Sequence, residues 1–376
     1  MKKSHLIVIA VLIVGFLGFE GIIAYKASLK PIDASAIWLH PRLNLVHPND
    51  VRGVYMTAAV AEGKWLGGKN KREKIMDLVH ETEINGIVID VKESEGSQVS
   101  DGLNEFLKSL QQEAVWKIAR VTTFTDNSQV AEHPEWYLKW GGGGIWRDSR
   151  GNAWLDPGVP EARQYIIDFS KTIIDLGFDE LQFDYIRYPS DGNISAIART
   201  QTDKTKRELI QVVFKEFSEQ IRAYDPTIFL SVDLFGYVTQ RPEDSIGQAL
   251  EDAVPYMDYI SPMVYPSHYY SGFAVDADEA RGLPKVYLSA YGAHVDPETV
   301  IHRSMLTAWD TIRMTTSTTG RRAKLRPWLQ NFSMGGVWYG KDRIRAQIDA
   351  AHKAGTQGYL LWNASNKYTE GALNAN

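Results

Sequence analysis

The residues best suited to catalysis lie in one short segment, residues 177–189, which reads GFDELQFDYIRYP. Apolar and polar residues alternate through it up to Asp184, as they do in a β-strand with two different faces. In a parallel sheet, a carboxylate at the C-terminal end of a strand lies at the edge where ligands bind. Buried charges cost free energy unless they pair or take part in chemistry. Asp184 is therefore a candidate catalytic carboxylate.

A structural interpretation of the same strand end competes with the catalytic one. Arg187 follows Asp184 closely, and a nearby cation stabilises the ionised form of a carboxylate. Such a pair would keep a nucleophilic carboxylate ionised. Alternatively, it would be a structural salt bridge at the end of the strand. In either case the sequence predicts that Asp184 and Arg187 interact.

Alternating strand and helix patterns surround this segment and predict how it is positioned. The predicted strands cover residues 51–58, 86–93, 116–124, part of 177–189, 228–233, 257–265, 325–332 and 358–363. The predicted helices cover residues 70–84, 101–113, 160–176, 203–224 and 340–354. Pro160 suits the first turn of its helix, and Gly177 suits the position after its end. Residues 284–291 are a further strand candidate, which we assign to an insertion between the sixth and seventh strands.

Repeated strand–helix units predict parallel strands that are joined by helical crossovers. Eight such strands are typical of a (β/α)8 TIM barrel, which is an α/β fold. A doubly wound open sheet is the alternative, but no G-x-G-x-x-G motif follows the first strand. We therefore predict one barrel domain over residues 51–376.

Chemically active side chains recur at the C-terminal ends of the other predicted strands. They are Asp90, Lys92 and Glu93 after the second strand, Asp233 after the fifth, Tyr265 and His268 after the sixth, Trp328 and Gln330 in the seventh, and Trp362 and Asn363 after the eighth. A single aspartate at such a position is more often a helix cap or a turn residue. Recurrence across six strands favours a shared site at one end of the barrel.

A long loop after the third predicted strand is rich in aromatic residues. It contains Trp136, Tyr137, Trp140, Trp146 and Trp154, with four glycines at 141–144. Aromatic faces stack on the apolar faces of sugar rings, so the loop is a candidate binding platform for a chain-like ligand. A locally packed cluster with a glycine tip explains the same composition equally well.

Composition excludes several classes of function. The 376 residues carry a formal net charge of −5, which argues against a general nucleic-acid binder. The chain contains no cysteine, which excludes disulfides, thiolate catalysis and cysteine metal sites. No metal-ligand spacing such as H-E-x-x-H occurs, so we expect neither a catalytic metal nor another cofactor.

The first 25 residues have the pattern of a signal-anchor or a signal peptide. Lys2 and Lys3 precede an apolar run over residues 6–19, and a second apolar stretch follows Glu20. The only A-x-A site near it, residues 34–36, lies far downstream, which favours an uncleaved membrane anchor. The two lysines predict that the barrel lies outside the cytoplasm, or is secreted if the segment is cleaved. Residues 26–50 are predicted to form a linker.

Paired carboxylates in an aromatic-lined barrel mouth suggest glycoside hydrolysis, which needs one carboxylate as nucleophile or base and another as acid. From Val51 onward the chain also resembles the bacterial putative glycoside hydrolase domain family, a TIM-barrel family of largely unknown function. The motifs that carry the resemblance are VIDVK at 88–92, FDELQFDYIRYP at 178–189, VDLFG at 232–236, residues 260–269, RPWLQNF at 326–332 and LWNA at 361–364. The resemblance implies a glycosidase with a carbohydrate substrate.

More distant resemblances suggest roles for individual residues. In α-amylase-like barrels the nucleophile ends the fourth strand and the acid/base ends the fifth, which are the positions of Asp184 and Asp233. Gln182 stands where that family has an arginine, and Gln330 stands where it has an aspartate. In chitinase-like barrels the catalytic glutamate falls at Ile186, which argues against a substrate-assisted mechanism.

These observations together predict a retaining glycosidase that acts on an extracytoplasmic polysaccharide or oligosaccharide. Asp184 is the expected nucleophile, Asp233 is the expected general acid/base, and Glu93 is the second candidate for that role. The expected substrate contacts are Asp90, Lys92, Arg187, Tyr265, His268, Trp328, Gln330, Trp362 and Asn363.

Two other classes of function use some of the same residues. A non-catalytic carbohydrate-binding barrel of the cell envelope would need the aromatic side chains but no carboxylate pair. A metal-dependent polysaccharide deacetylase would need clustered histidine and aspartate ligands, to which His268 and Asp184 would contribute only part of the set.

Overall fold

A closed barrel of eight parallel strand positions forms the centre of the computed structural model, which describes residues 46, 48–198 and 202–376. The strands in chain order are β1 (Val51–Met56), β2 (Gly86–Glu93), β3 (Gly96–Ser97), β4 (Trp116–Thr122), β5 (Glu180–Asp184), β6 (Phe229–Phe235), β7 (Tyr259–Met263), β8 (Phe273–Val275), β9 (Val286–Leu288), β10 (Lys324–Leu325), β11 (Trp328–Gln330) and β12 (Gly358–Trp362). The barrel order is β1-β12-β11-β7-β6-β5-β4-β2, and β2 pairs with β1 to close it. Because β10 and β11 both pair with β7, they form one barrel position. The predicted (β/α)8 barrel is confirmed.

Helices cover the outside of the barrel. They are α1 (Ala58–Glu62), α2 (Leu66–Glu81), α3 (Asp101–Ser109), α4 (Pro160–Asp175), α5 (Lys206–Tyr224), α6 (Leu250–Ala253), α7 (Ala290–Val295), α8 (Pro297–Met314) and α9 (Lys341–Lys353). As predicted, Pro160 begins α4, and Gly177 follows it with a φ of 94° that favours glycine. The side chains of Thr205 and Glu208 form a capping box at the start of α5.

The segment between β7 and β10 differs most from the sequence-based prediction. The expected insertion is present, because β8 and β9 form a separate antiparallel pair outside the barrel. The sequence did not predict α8, which spans 18 residues. Its start carries a recognisable signal, since the Asp296 side chain accepts a hydrogen bond from the Thr299 N–H and Pro297 occupies the first turn.

Strand alternation divides the core into two layers. On β5, Leu181 and Phe183 face outward, and Phe183 packs edge-to-face on Phe217 of α5 at 5.0 Å. Gln182 and Asp184 lie on the opposite face, toward the barrel interior. The interior layer is mainly apolar and aromatic in its lower half, where its members include Val51, Val88, Trp116, Ile118, Trp328 and Leu360.

Two carboxylates reach the same level of the barrel through the register of β5 and β6. Phe183 pairs with Val232, so that the next residues, Asp184 and Asp233, lie side by side on neighbouring strands. At the opposite end of β5, the buried Glu180 forms an ion pair with Arg326 and accepts a hydrogen bond from Trp116 Nε1 at 2.9 Å. Polar groups therefore occupy both ends of the interior, and a cleft lies at the C-terminal end.

The predicted signal-anchor at residues 1–25 and most of the predicted linker at 26–50 lie outside the described residues. The first barrel strand begins at Val51. Within the part of the chain that the structure describes, no helix has the length and apolar character needed to cross a bilayer.

Candidate active site

A buried arginine connects two carboxylates at the C-terminal end of the barrel. On β4 the inward-facing Arg120 places Nη1 2.5 Å from Asp90 Oδ1 and Nη2 2.6 Å from Asp184 Oδ2. Its Nε donates a second hydrogen bond to the same Asp184 oxygen at 3.1 Å. The Tyr55 hydroxyl donates to the other oxygen of Asp90. Because all of these side chains are buried, the guanidinium compensates charges that would otherwise be costly.

The cation that contacts Asp184 is thus Arg120. The charge of Asp184 acts on the Arg187 guanidinium without an ion-pair contact, and it opposes the lowering of the Arg187 pKa by burial. Among the described residues Arg187 forms no ion pair, and its Nη1 donates to the Tyr188 carbonyl at 2.9 Å. The cause is the backbone at Tyr185, whose φ of 52° ends the strand and redirects the chain. In α-amylase-like barrels an arginine stands at the position of Gln182. Here Arg120, on the neighbouring strand β4, is the arginine that contacts Asp184.

Charge and burial shift the pKa values of Asp90 and Arg120 in opposite directions. Burial raises the pKa of Asp90, while Arg120 and the Tyr55 hydroxyl act in the other direction. Burial alone would lower the pKa of Arg120, but Asp90 and Asp184 outweigh it and raise the pKa above its usual value. Arg120 therefore stays cationic at any ordinary pH.

Asp233 has a different environment from its neighbour Asp184. It is 1% exposed, and its Oδ1 accepts a hydrogen bond from Trp328 Nε1 at 2.8 Å. Its Oδ2 has no hydrogen-bond partner within the described chain. Burial first, and then the charge of Asp184, raise the pKa of Asp233 well above its ordinary value. Asp233 is therefore suited to carry a proton, which a general acid requires.

Among the three candidate catalytic carboxylates, Glu93 lines the open cleft, whereas Asp184 and Asp233 do not. It is half-buried at the end of β2, next to a register irregularity between Asp90 and Lys92. Burial first, and then the charge of Asp90, raise the pKa of Glu93. Glu93 thus remains a second candidate acid.

The cleft at the C-terminal end of the barrel has a volume of about 380 Å³. Arg120, Tyr55 and Trp362 line it together with Glu93, so that it reaches the buried carboxylate group from outside. The Trp362 ring packs on Tyr55 at 4.1 Å and lies 5.2 Å from the Arg120 guanidinium. Its other lining residues are Ser94, Thr122, Thr125, Asp148, Arg150, Asn152, Trp154, Tyr185, Arg187, Ser190 and Asp191.

A second pocket of about 340 Å³ contains the predicted contacts Tyr265 and His268. It is largely aromatic, and Ser190 lines both this pocket and the cleft. Burial and then the charge of Asp233 raise the pKa of the Tyr265 hydroxyl. Burial lowers the pKa of His268, whose Nδ1 lies 2.9 Å from the Ser267 hydroxyl.

Besides Asp90, which is fully buried against Arg120 and Tyr55, four of the predicted substrate contacts have structural partners. Lys92 is fully buried, 2.7 Å from Asp126. Gln330 accepts from the Ser267 N–H at 3.1 Å and donates to the Phe332 carbonyl at 2.9 Å. Trp328 holds Asp233, and the Asn363 side-chain amide donates to the carbonyls of Asn331 and Lys367. These side chains position the strand ends and loops around the site.

The aromatic loop after β4 is mostly a packed structure. Tyr137, Trp146 and Trp154 are buried, and Trp154 Nε1 donates to Asp148 at 3.0 Å. Trp136 and Trp140 are half-buried. Trp154 also lines the cleft, so one residue of the loop serves both interpretations.

Sequence analysis missed Arg120 and Tyr55, which complete the charged group. The signal for Arg120 was an arginine on the same strand face as Trp116 and Ile118 in WKIARVT. A buried cation is costly unless it is compensated, so this arginine was evidence for carboxylates on adjacent strands. Tyr55 gave no comparable signal, because aromatic residues are common in strands.

We predict that Arg120→Met greatly reduces stability. The substitution leaves Asp90 and Asp184 buried without their shared cation, and breaking a buried ion pair in this way costs about 3–5 kcal/mol. Denaturant unfolding of the variant measures the change in free energy. Lys215→Met is the control, because its ion pair with Glu219 is exposed and is expected to contribute about 0–1 kcal/mol. Equal stability of the two variants would contradict the structural role of Arg120.

The described residues contain no group of three or more histidine, aspartate or glutamate side chains placed to hold a metal ion. A deacetylase-type ligand set is therefore not present in that part of the chain. The carboxylates of this site instead contact an arginine, a tryptophan and a tyrosine.

Several solved structures share this fold. The PgaB (BpsB) glycoside hydrolase domain from Bordetella bronchiseptica matches with a TM-score of 0.55 at 12% identity, over 84% of this chain and 95% of that one. The α-galactosidase TtGalA of Thermus thermophilus matches with a TM-score of 0.50 at 14% identity, over 86% of this chain and 60% of that one. A hypothetical protein from Ruminiclostridium thermocellum is 28% identical over 48% of this chain and 96% of that one, with a TM-score of 0.41. No protein of curated function matches significantly.

At 12–14% identity the first two likenesses establish the fold alone. Family membership rests on the sequence itself. The family described as "Putative glycosyl hydrolase domain" matches residues 53–368, which include all of the barrel strands except the first two residues of β1 and all of the carboxylates discussed above. The chain therefore belongs to this glycosyl hydrolase-like family.

Proposed function

We propose that the protein is a retaining glycosidase with Asp184 as nucleophile and Asp233 as general acid/base. The observation that carries the proposal is the contrast between these neighbouring carboxylates. Asp184 contacts the Arg120 guanidinium through two nitrogens, whereas burial and Asp184 raise the pKa of Asp233. Environments that separate two carboxylates in this way assign one of them as base or nucleophile and the other as acid.

The chain's own atoms support a two-step displacement. Asp184 Oδ2 is held by Arg120, and Oδ1 accepts a hydrogen bond from the Tyr185 N–H at 2.6 Å, which fixes the carboxylate plane. In the first step an Asp184 oxygen bonds to the anomeric carbon while protonated Asp233 gives its proton to the departing glycosidic oxygen. In the second step Asp233 removes a proton from water, the water oxygen bonds to the anomeric carbon, and Asp184 leaves.

The stereochemistry of the product tests this mechanism. We expect the purified protein to release new reducing ends from an envelope polysaccharide, and NMR within the first minutes to show the anomeric configuration of the substrate. Retention follows from carboxyl groups about 5–5.5 Å apart, whereas a separation of about 6.5–9.5 Å predicts inversion. An inverted first product would exclude Asp184 as a nucleophile.

The same assay separates the other functions that these residues suggest. A carbohydrate-binding barrel would bind the polysaccharide without releasing reducing ends. A metal-dependent deacetylase would release acetate, and a chelator would stop it. Either result would replace the glycosidase proposal.

We also propose that the barrel acts outside the cytoplasm and is tethered by the N-terminal segment. The support is the sequence pattern of two lysines before an apolar run. A reporter that is active only outside the cytoplasm, fused after Pro48, is expected to give signal. Activity of a cytoplasm-only reporter at the same position would contradict this localisation, and recovery of the shortened protein from the medium would show cleavage.

A further inference from the structure

Arg187 is a buried cation that has no carboxylate partner within the described residues. It is 7% exposed, and its only hydrogen bond there is the one to the Tyr188 carbonyl. Five other buried cations contact a carboxylate, namely Lys92, Lys117, Arg120, Arg163 and Arg326. Arg303 contacts two backbone carbonyls instead. An unpaired buried charge is costly unless it has a function.

Three aromatic rings hold the Arg187 guanidinium in place. Its central carbon lies 5.1 Å from the Trp154 ring centre, 5.0 Å from Tyr185 and 4.6 Å from Phe235. Guanidinium faces stack on rings, which restricts their motion without using their N–H donors. The N–H groups of Arg187 that have no partner among the described residues are therefore held in a fixed position, where a ligand could accept their hydrogen bonds.

The guanidinium belongs to the cleft that Arg120 and Glu93 also line, and Arg120 contacts Asp184. Arg187 lines it together with Trp154 and Tyr185, and it follows Asp184 by three residues. The left-handed φ of Tyr185 is unfavourable for a residue with a side chain, and such conformations persist chiefly at functional sites. This conformation sets the direction of the chain between Asp184 and Arg187.

No carboxylate of the described residues lies within ion-pair distance of Arg187, although the charges of Asp184, Asp191 and Asp148 act on its guanidinium. Asp148 accepts from Trp154 Nε1 at 3.0 Å, and Asp191 accepts from the Ser149 hydroxyl at 2.6 Å. Arg150 is exposed at the rim, and its side chain makes no ion pair with the described residues. Two guanidinium groups thus face one cleft without bound carboxylates.

We infer that this cleft binds a uronic acid residue of the substrate, with its carboxylate on Arg187. A guanidinium offers two parallel N–H donors that match the two oxygens of a planar carboxylate. Tyr185, which is half-buried and lines the same cleft, supplies an aromatic surface for the apolar side of the same sugar. The inference deepens the proposed function and rests on it, since it names the class of saccharide that the glycosidase site takes.

Matched ligands test the inference on a single protein variant, so that only the ligand's carboxylate changes. Asp184→Asn, which is expected not to turn over, is titrated calorimetrically with oligosaccharides of galacturonic, glucuronic and mannuronic acid. The same oligosaccharides with their carboxyl groups reduced to hydroxymethyl groups are the neutral controls. We expect at least one acidic oligosaccharide to bind about 10- to 100-fold more tightly than its reduced form, because charge-assisted hydrogen bonds are lost on reduction.

Protein variants then assign the effect to the guanidinium. Arg187→Met, in the Asp184→Asn background, is expected to remove the preference for the acidic oligosaccharide. Arg187→Lys is expected to remove most of it, because an ammonium group lacks the two parallel N–H donors of a guanidinium. Arg322→Met, an exposed arginine remote from the cleft lining, is the control and is expected to keep the preference. Melting temperatures of all variants show whether they remain folded.

Several outcomes would overturn the inference: no binding of any acidic oligosaccharide, equal binding of acidic and reduced forms, tighter binding of sulfated than of carboxylated oligosaccharides, or an unchanged preference in folded Arg187→Met. Turnover by the wild-type protein is a separate readout. Acid-specific binding without wild-type turnover would overturn the glycosidase proposal and keep the uronate site. Hydrolysis of neutral saccharides in preference to acidic ones would overturn the uronate site and keep the glycosidase proposal.

Discussion

Asp184→Asn is expected to lower the turnover number at least about a thousandfold with little change in shape. An amide cannot form the covalent bond to the anomeric carbon, and it no longer offers a negative charge to the oxocarbenium-like transition state. Initial rates on any polysaccharide that the wild type cleaves measure the loss. Asp175→Asn is the matched control, because Asp175 accepts a hydrogen bond from Tyr224 on the helical exterior.

The same variant separates a catalytic from a structural role for Asp184. Asp90 and Asp184 share one guanidinium, so the group carries two negative charges and one positive charge. Neutralising Asp184 leaves a balanced pair of Asp90 and Arg120, and we expect an unchanged or higher melting temperature. A fall of several degrees would indicate a structural ion pair, and wild-type turnover would exclude Asp184 as the nucleophile.

The sequence was most informative where a local pattern determines structure. Strand β2 was predicted with its observed bounds, Gly86–Glu93, because a buried parallel strand is a continuous apolar run. The carboxylates of Asp184 and Asp233 were located because a barrel places the ends of all its strands at one mouth. Those inferences need only periodicity and the closure of the sheet.

Contacts between strands were harder to predict, because they depend on register and side-chain length. Arg187 is nearer to Asp184 in sequence, yet Arg120 is its partner, since Thr122 pairs with Asp184 and the long arginine side chain reaches up the barrel. Lys92 has the pattern of a substrate contact at a strand end, but its side chain contacts Asp126 in the loop after β4. A strand-end position alone does not show whether a polar side chain is open to a ligand.

Asp233→Asn is expected to reduce turnover by about 100- to 10,000-fold, because a neutral amide cannot donate a proton to the leaving oxygen. The loss should be smaller for substrates whose leaving group needs no proton, such as nitrophenyl glycosides. The pH profile gives an independent readout. Since burial and Asp184 raise the pKa of Asp233, wild-type activity should fall as the pH rises through that value.

The competing acid is Glu93, which the cleft reaches more openly than Asp233. Glu93→Gln is therefore compared in the same assays. If Asp233 is the acid, Glu93→Gln keeps the alkaline fall in activity and Asp233→Asn loses it. The opposite pattern would assign the acid role to Glu93.

Stability provides a check on the protonation of Asp233 that does not depend on a substrate. Its pKa is raised in the folded protein by burial, so the proton is held more tightly than in the unfolded chain. The stabilisation that protonated Asp233 gives to the folded protein is fully present below the ordinary aspartate pKa of about 4. It is lost as the pH rises through the pKa of Asp233 in the folded protein. Asparagine has no such proton to lose. The melting temperature of Asp233→Asn relative to wild type should therefore increase between about pH 4 and neutrality, whereas a constant difference across that range would show that Asp233 is not held protonated by the fold.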